Sequence, residues 1–102
     1  MTDFFQGDII RINGYKYHFL IISKNAYIQA VNAFHVCPLI EDCPAGPVHI
    51  TVSGVNGFTG TAICDQIKFI DPSARSCNTV DRIPYGLLMD VSDAVQAIFE
   101  YD

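Results

Sequence analysis

The chain has 102 residues, of which half are hydrophobic and only 17% are charged. That length suffices for one domain with one core, so we expect residues 1–102 to form a single domain. Eleven acidic residues against six Lys and Arg residues give a net charge of −5, which argues against a protein held to nucleic acid by bulk electrostatics. The high apolar fraction predicts a homodimer, in which two copies bury surface together.

The first elements along the chain predict a β-hairpin. Residues 8–12 and 15–22 are rich in β-branched and aromatic side chains. Asn13-Gly14 between them favours a type I′ turn, because that turn needs positive φ at both central positions. Residues 23–32 are less apolar and irregular, which predicts a connector with a short helical turn.

Further strands and one helix follow. Residues 33–40, 48–52 and 59–69 carry apolar or alternating patterns that predict strands, the last span holding one or two. From Pro84 the period changes to steps of three and four, which predicts an amphipathic helix. The apolar positions of that helix are Leu88, Val91, Val95 and Ile98. Short strands closed by a terminal helix predict a small, strongly bent β-barrel or sheet with the helix packed on it.

Neither the N-terminus nor the cysteines indicate export. The acidic start lacks the positive charge of a signal peptide, and no apolar run is long enough to span a bilayer, so we expect a cytoplasmic protein without membrane contact. The four cysteines form no Cys-x-x-Cys pair, which predicts free thiols, with Cys37 and Cys64 in the core. A metal site of His35, Cys37, Cys43 and His49 is less favoured than packing roles for both histidines.

The most specific pattern lies in residues 48–71. Its centre, GTAICDQ at residues 60–66, puts a carboxylate and an amide side by side where an apolar strand ends. This segment resembles the signature of the MazF/PemK/Kid family of bacterial toxins. The similarity keeps its order along nearly the whole chain. It also covers residues 7–10, residues 20–23 with Asn25 and Tyr27, residues 36–39, Asp71, Ala74, Arg75 and residues 80–84.

The resemblance implies a mainly β fold, a small SH3-like β-barrel of about five to seven strands with a C-terminal α-helix. It further implies a homodimeric toxin of a type II toxin–antitoxin module, with an antitoxin protein as partner. The ribonuclease members bind RNA across the dimer and cleave it without a metal or other cofactor, as the 2′-hydroxyl attacks the adjacent phosphate. Such chemistry needs a base, an acid and a cation. By position, Asp65 would be catalytic and Thr59 would contact the substrate.

Three departures from the ribonuclease members imply a rearranged active site. In this chain Tyr17-His18 replaces an Arg-Pro pair, Ile40-Glu41 replaces a Thr-Ser pair, and Ile63 replaces a cation found in some members. A phenol cannot replace a guanidinium in stabilising a phosphorane, because Arg offers charge and a planar fork of donors. Other residues of this chain must therefore supply the missing functions.

His18 is the best substitute, because histidine can act as acid or base near neutral pH. Lys16 and Arg11 lie close in sequence and could supply positive charge to a substrate phosphate. On a strand, Lys16 and His18 would share one face, which could be turned toward Asp65. These residues, together with Asp65, form the predicted catalytic and phosphate-binding set.

Each of these residues also has a structural interpretation. Lys16 and His18 could be solvent-facing positions that alternate with buried neighbours. Asp65 could cap backbone amides at a strand end, and Gln66 could bond across the sheet instead of contacting substrate. Tyr17 could stack on bases as a substrate contact, or cover core or dimer interface.

Two functions other than RNA cleavage stay open. A CcdB-like toxin of the same fold acts on DNA gyrase without catalysis, through the exposed end of its last helix. The apolar-aromatic residues 97–102 suit that interpretation, although Glu100-Tyr101-Asp102 departs from the CcdB ending. A catalytically inactive family member would bind only a protein partner, such as an antitoxin segment laid across the groove.

Overall fold

The structure is a computed structural model that describes residues 3–99. Seven strands and two helices follow one another along the chain. In order they are β1 (Asp8–Ile12), β2 (His18–Ile21), α1 (Asn25–Val31), β3 (Phe34–Ile40), β4 (His49–Ser53), β5 (Thr59–Ile63), β6 (Lys68–Ile70), β7 (Cys77–Arg82) and α2 (Tyr85–Ile98). The expected mainly β fold of five to seven strands with a C-terminal helix is confirmed.

All seven strands belong to one antiparallel sheet, in which six have the order β4-β5-β3-β2-β1-β7 and β6 pairs with β3 outside this path. The long strand β3 pairs with β5 through its C-terminal end, at Leu39 and Ile40, and with β6 through its N-terminal end, at Phe34. Residues 64–67 form the turn between β5 and β6. The described strands form an open path that ends at β4 and β7, so the sheet is barrel-like in its curvature without being closed.

The sheet has a hydrophobic cluster on each face, because successive side chains of a strand point to opposite sides. Ile9 and Leu20 belong to one cluster, which α2 covers through Val91. Ile10 and Phe19 belong to the other, together with Ile28 of α1. Burial on both faces explains why these strands read as continuous apolar runs.

The β1–β2 connection differs from the predicted turn. Gly14 has φ of +96°, whereas Asn13 is not among the residues with positive φ, so the type I′ prediction is wrong and the turn is closer to type II. Strand β2 begins at His18 and not at residue 15. The physical reason is that Asn13 donates its N–H to Ser76 at 2.9 Å, which draws the connection toward β7 and away from β2.

Two further elements go beyond the sequence prediction. Strand β7 was not predicted, because its mixture of polar and apolar residues shows no clean alternation, yet it pairs with all of β1. The expected helical turn in residues 23–32 is the seven-residue helix α1. The predicted helix after Pro84 is confirmed as α2, with Pro84 at its N-cap. The expectation for residues 100–102 lies outside the described residues.

The cysteines follow the prediction: Cys37 and Cys64 are buried and all four thiols are free. A hydrogen bond with Cys64 and burial raise the pKa of Cys37, and the same bond lowers the pKa of Cys64. Within residues 3–99 no helix has the length and apolar character needed to cross a membrane. In the same residues no group of three or more His, Cys, Asp or Glu side chains is arranged to hold a metal ion.

Candidate functional site

A groove follows the end of β3, where Glu41-Asp42 separates two adjoining cavities. The backbone turns away from the sheet at Asp42, which has a left-handed φ of 58°. The first cavity, of about 420 Å³, is lined by Lys16, Tyr17, His18, Leu39, Ile40, Glu41 and Asp42. The second, of about 360 Å³, is lined by Glu41, Asp42, Cys43, Thr51, Thr59, Gly60 and Thr61. We call the two together the Glu41 groove.

His18 is the first residue of β2 and lies at the Glu41 groove. Its partners in register are Arg11 of β1 and Leu39 of β3. Burial lowers the pKa of His18, the Arg11 guanidinium lowers it further, and the Glu41 carboxylate partly opposes both effects. A lowered pKa keeps the imidazole neutral at neutral pH, which is the form that accepts a proton.

Lys16 and Tyr17 line the same cavity as His18, although not for the predicted reason. Both residues precede β2, in a bend, so the expectation that Lys16 and His18 share one face of a strand is wrong. The bend instead brings the Lys16 ammonium to 5.3 Å from the centre of the exposed Tyr17 ring. The two side chains thus form a cation and an aromatic surface at the mouth of the cavity.

Thr59 lies in the second cavity, at the start of β5. Its neighbour Thr61 is buried and donates its hydroxyl to the carbonyl of Cys43 at 2.6 Å, which ties β5 to the residues that follow β3. The Phe58 ring, just before β5, lies with its centre 5.0 Å from that of His18. The predicted residues Thr59 and His18 therefore lie on one groove.

Asp65 and Gln66 lie elsewhere, in the turn between β5 and β6, and neither lines the Glu41 groove. Asp65 is therefore not among the residues that line the cavity containing Lys16 and His18. Both turn residues are exposed, because the turn carries their side chains out of the sheet. Among residues 3–99, neither side chain makes the expected capping or cross-sheet hydrogen bond; Asp65 Oδ1 instead lies 3.6 Å from His49 Nε2.

Sequence reasoning did not assign functions to Glu41 or His49. The sequence indicated no role for Glu41 beyond its position at the end of a strand. Its effect on His18 depends on the proximity of the two side chains, which the structure shows. His49 was expected to pack in a strand, but its side chain is 36% exposed. The register that pairs His49 with Ile63 would have identified it as a neighbour of Asp65, two residues further on.

Of the comparisons with known proteins, the one with solved structures gives matches. No family model matches the chain, and no curated protein sequence matches it significantly. Among solved structures, a MazE–MazF complex from Deinococcus radiodurans matches with a TM-score of 0.83, 18% identity and 100% coverage of both chains. An endoribonuclease from a mycobacterial species matches with a TM-score of 0.81 and 15% identity, over 95% of this chain and 91% of the other.

A third neighbour is a mycobacterial endoribonuclease in complex with its cognate antitoxin. It matches with a TM-score of 0.79 and 16% identity, over 96% of this chain and 98% of that chain. At identities this low the likeness concerns the backbone and not the side chains. The chain has the fold of MazF toxins, as the resemblance in its sequence predicts.

Proposed function

We propose that this protein is the toxin of a type II toxin–antitoxin module and a metal-independent endoribonuclease that acts in the cytoplasm. The observation that carries the proposal is the match of nearly its whole length to MazF toxins and endoribonucleases, several of them in complexes with antitoxins. A shared fold does not by itself imply a shared reaction, so the reacting residues have to be argued from this chain. The Glu41 groove is the site that we favour.

His18 is the proposed base. Its neutral imidazole takes the proton of the ribose 2′-hydroxyl, and the 2′-oxygen then forms a bond to phosphorus. The bond from phosphorus to the 5′-oxygen breaks, and that oxygen takes a proton from solvent. The products are a 2′,3′-cyclic phosphate and a free 5′-hydroxyl.

The neighbours of His18 stabilise the charges that develop during the reaction. Lys16, in the same cavity, stabilises the negative charge that develops on the phosphoryl oxygens. Glu41 stabilises the imidazolium that forms when His18 accepts its proton, consistent with the direction in which its carboxylate moves the pKa of His18. Thr59 and Tyr17 are proposed to contact the RNA on either side of the reacting phosphate, with Arg11 adding positive charge beside His18.

The Asp65–His49 pair is the alternative centre. Its carboxylate and imidazole lie 3.6 Å apart and are accessible, which offers a second acid–base couple. Asp65 is the residue that the family resemblance assigns to catalysis, and Gln66 beside it is proposed as a substrate contact. We favour His18 because Lys16 and Arg11 lie near it and can stabilise negative charge on the phosphate. In the Asp65–His49 pair, the group beside the imidazole is a carboxylate, which cannot stabilise that charge.

The proposed oligomer is a homodimer. Large apolar side chains are exposed along α2 and just beyond it, with Tyr85 75%, Met89 48% and Phe99 70% accessible in one copy. Surface of this kind favours burial against a partner. Light scattering coupled to size-exclusion chromatography should give twice the mass of one chain, and a monomeric mass would contradict the proposal.

The test of the proposed function is cleavage of a long mixed-sequence RNA in the presence of EDTA. We expect discrete cuts that leave cyclic phosphate ends, and a loss of about 100-fold or more in His18→Gln. The matched control is His35→Gln, a histidine outside the Glu41 groove that bonds to Ser23 and packs against Phe69. RNA that stays intact with the wild-type protein would overturn the enzymatic proposal and favour a toxin that acts by binding a protein.

A further inference from the structure

Four of the six Lys and Arg residues of this acidic chain lie near Tyr15, two of them at its ring and two in the cavity that it lines. Arg75 Cζ lies 4.9 Å and Lys68 Nζ 5.8 Å from the ring centre. Arg11 and Lys16 line, together with Tyr15, a cavity of about 550 Å³ beside β1. We call these five residues the Tyr15 surface.

No carboxylate of residues 3–99 lies within 4.0 Å of a cation of the Tyr15 surface. Within residues 3–99 the one ion pair closer than 4.0 Å joins His49 to Asp65, so none of these four cations is paired with a described carboxylate. The rest of the cavity lining is Ile12, Asn13, Gly14, Ser76 and Asn78, which adds hydrogen-bonding groups and no negative charge. Eleven acidic residues were available to neutralise these cations. The grouping therefore provides a local site for an external anion.

Tyr15 positions two of these cations. Its ring packs edge-on against buried Phe19 of β2, at 5.3 Å between centres, and is thereby held against the sheet. A ring fixed in this way attracts the guanidinium of Arg75 and the ammonium of Lys68 through its π electrons. Arg75 also donates from Nη1 to the Asn13 carbonyl at 3.4 Å. Two long side chains are therefore partly ordered before any ligand binds.

The Tyr15 surface is continuous with the Glu41 groove. Lys16 lines both the cavity beside β1 and the cavity that contains His18. Arg11 likewise lines the cavity beside β1, and it pairs in register with His18. A chain bound with its phosphate at His18 and continuing past Lys16 would reach Arg75 and Lys68 next.

We propose that the Tyr15 surface binds the phosphates of the RNA strand that flanks the cleaved bond, with Lys68 and Arg75 as the contacts that hold that strand. The inference rests on the proposed function, because RNA is the anion whose reacting phosphate would lie at His18. It adds a second RNA-binding surface, outside the Glu41 groove, to a protein whose net negative charge disfavours RNA binding. An acidic polypeptide is the competing ligand, and the experiment below separates the two.

The experiment measures binding of 2′-O-methyl RNA, which cannot be cleaved because it lacks the attacking hydroxyl. Fluorescence anisotropy is recorded with oligonucleotides of about 4 and about 12 nucleotides, the range of single-strand site sizes. The test variant is Lys68→Gln with Arg75→Gln. The control is Lys24→Gln with Arg82→Gln, which removes the same charge at the two cations outside the Tyr15 surface. Thermal unfolding establishes that both variants are folded.

We expect the test variant to bind the longer RNA about 10-fold more weakly, with a salt dependence reduced by about 1.4 in log–log slope for two lost phosphate contacts. The shorter RNA should bind the wild-type protein and the test variant equally, and the control variant should resemble the wild type with both. Equal losses in the two variants, or equal effects on short and long RNA, would overturn the inference.

Two further outcomes separate this inference from the function on which it rests. A wild-type protein that cleaves RNA but binds both lengths alike overturns the Tyr15 surface alone. A wild-type protein that neither binds nor cleaves RNA overturns the proposed function as well. Displacement of the longer RNA by poly-glutamate at equal charge concentration would show a general anion site and would also overturn the RNA assignment.

Discussion

The backbone N–H of Phe58 donates a hydrogen bond of 3.0 Å to the carboxylate of Asp81, which joins the β4–β5 turn to β7. The same carboxylate accepts the N–H groups of Asn56 at 2.9 Å and of Arg82 at 2.8 Å. Phe58 in turn presents its ring to His18. A buried aspartate behind the Glu41 groove therefore fixes the turn that contacts the proposed base.

Replacement of Asp81 by Asn should destabilise the protein by about 1–3 kcal/mol, because one amide oxygen cannot satisfy three backbone donors. Burial raises the pKa of Asp81, but the bonds from Phe58, Arg82 and Asn56 outweigh it, so the pKa lies below its ordinary value of 3.8. The carboxylate therefore stabilises the fold above pH 3.8, and that contribution is lost as the pH falls through its lowered pKa.

Chemical denaturation at several pH values measures the effect. The difference between wild type and Asp81→Asn should be largest near neutral pH and should shrink in acid. Asp71→Asn is the matched control, since Asp71 also accepts a backbone N–H, from Ser73, but in an exposed turn. A control variant as unstable as Asp81→Asn would contradict the special role of the buried carboxylate.

Residue 54 has to be glycine because the Asp81 carboxylate occupies the space that a side chain would need. A Cβ atom at this position would overlap the side chain of Asp81, so Gly54→Ala should cost about 1–3 kcal/mol in the free energy of unfolding. Gly86→Ala is the opposite case, because a Cβ there meets nothing within 4 Å and should stabilise α2 by up to about 1 kcal/mol.

A double-mutant cycle tests the cause of the Gly54 effect. Combined with Asp81→Ala, which removes the overlapping oxygens, Gly54→Ala should cost much less than it does alone. Additive losses would contradict the steric explanation and indicate that the glycine is needed for another reason.

The predictable part of the fold is the part governed by local apolar patterns. The strands that bury side chains on both faces, such as Phe34–Ile40, are evident as apolar runs, and Pro84 indicates the start of α2. Strand β7 was missed because its buried member Asp81 is polar and is stabilised by donors 23 and 25 residues away. Local patterns contain no information about such distant partners.

The site was predictable to a similar degree. His18 and Thr59 were identified from residue type and family position, and both line the Glu41 groove. Asp65 was expected beside them. Because β3 pairs with β5 at one end and with β6 at the other, Asp65 lies in the turn between β5 and β6 and not at the Glu41 groove. Pairing register decides that separation, and neither composition nor spacing determines register.

The charged neighbours of His18 predict that its pKa shifts in opposite directions in two variants. Arg11→Gln should raise the pKa of His18, because it removes a positive charge that disfavours the imidazolium. Glu41→Gln should lower it further, because the carboxylate favours the charged ring. NMR titration of the His18 Cε1–H signal measures the pKa in both variants.

The same pKa shifts should appear in the pH dependence of the rate of RNA cleavage. If neutral His18 is the base, the rate falls as the pH drops below its pKa, and Arg11→Gln should move that decline to higher pH. Arg11→Gln should also slow the reaction at its optimum, because the guanidinium stands beside the reacting group. An acid limb that stays in place while the NMR titration moves would contradict the assignment of His18 as base.

Asp65→Asn decides between the two candidate centres. The pair with His49 is exposed, so its loss should change the free energy of unfolding by less than about 1 kcal/mol. Because Asp65 lines neither cavity of the Glu41 groove, we expect this variant to keep cleavage within about threefold of wild type, a difference worth less than about 1 kcal/mol in the barrier. Cleavage and denaturation are measured on the same preparation, with His49→Gln in parallel.

A loss of about 100-fold in Asp65→Asn would reverse the assignment, provided that His49→Gln shows the same loss and the double variant is no worse than either. Two residues that act as one unit give that non-additive pattern, and it would move the reacting phosphate to the turn between β5 and β6. His18→Gln should then retain activity. Because the two centres predict opposite results for Asp65→Asn and His18→Gln, the wild-type protein and these four variants together assign the base.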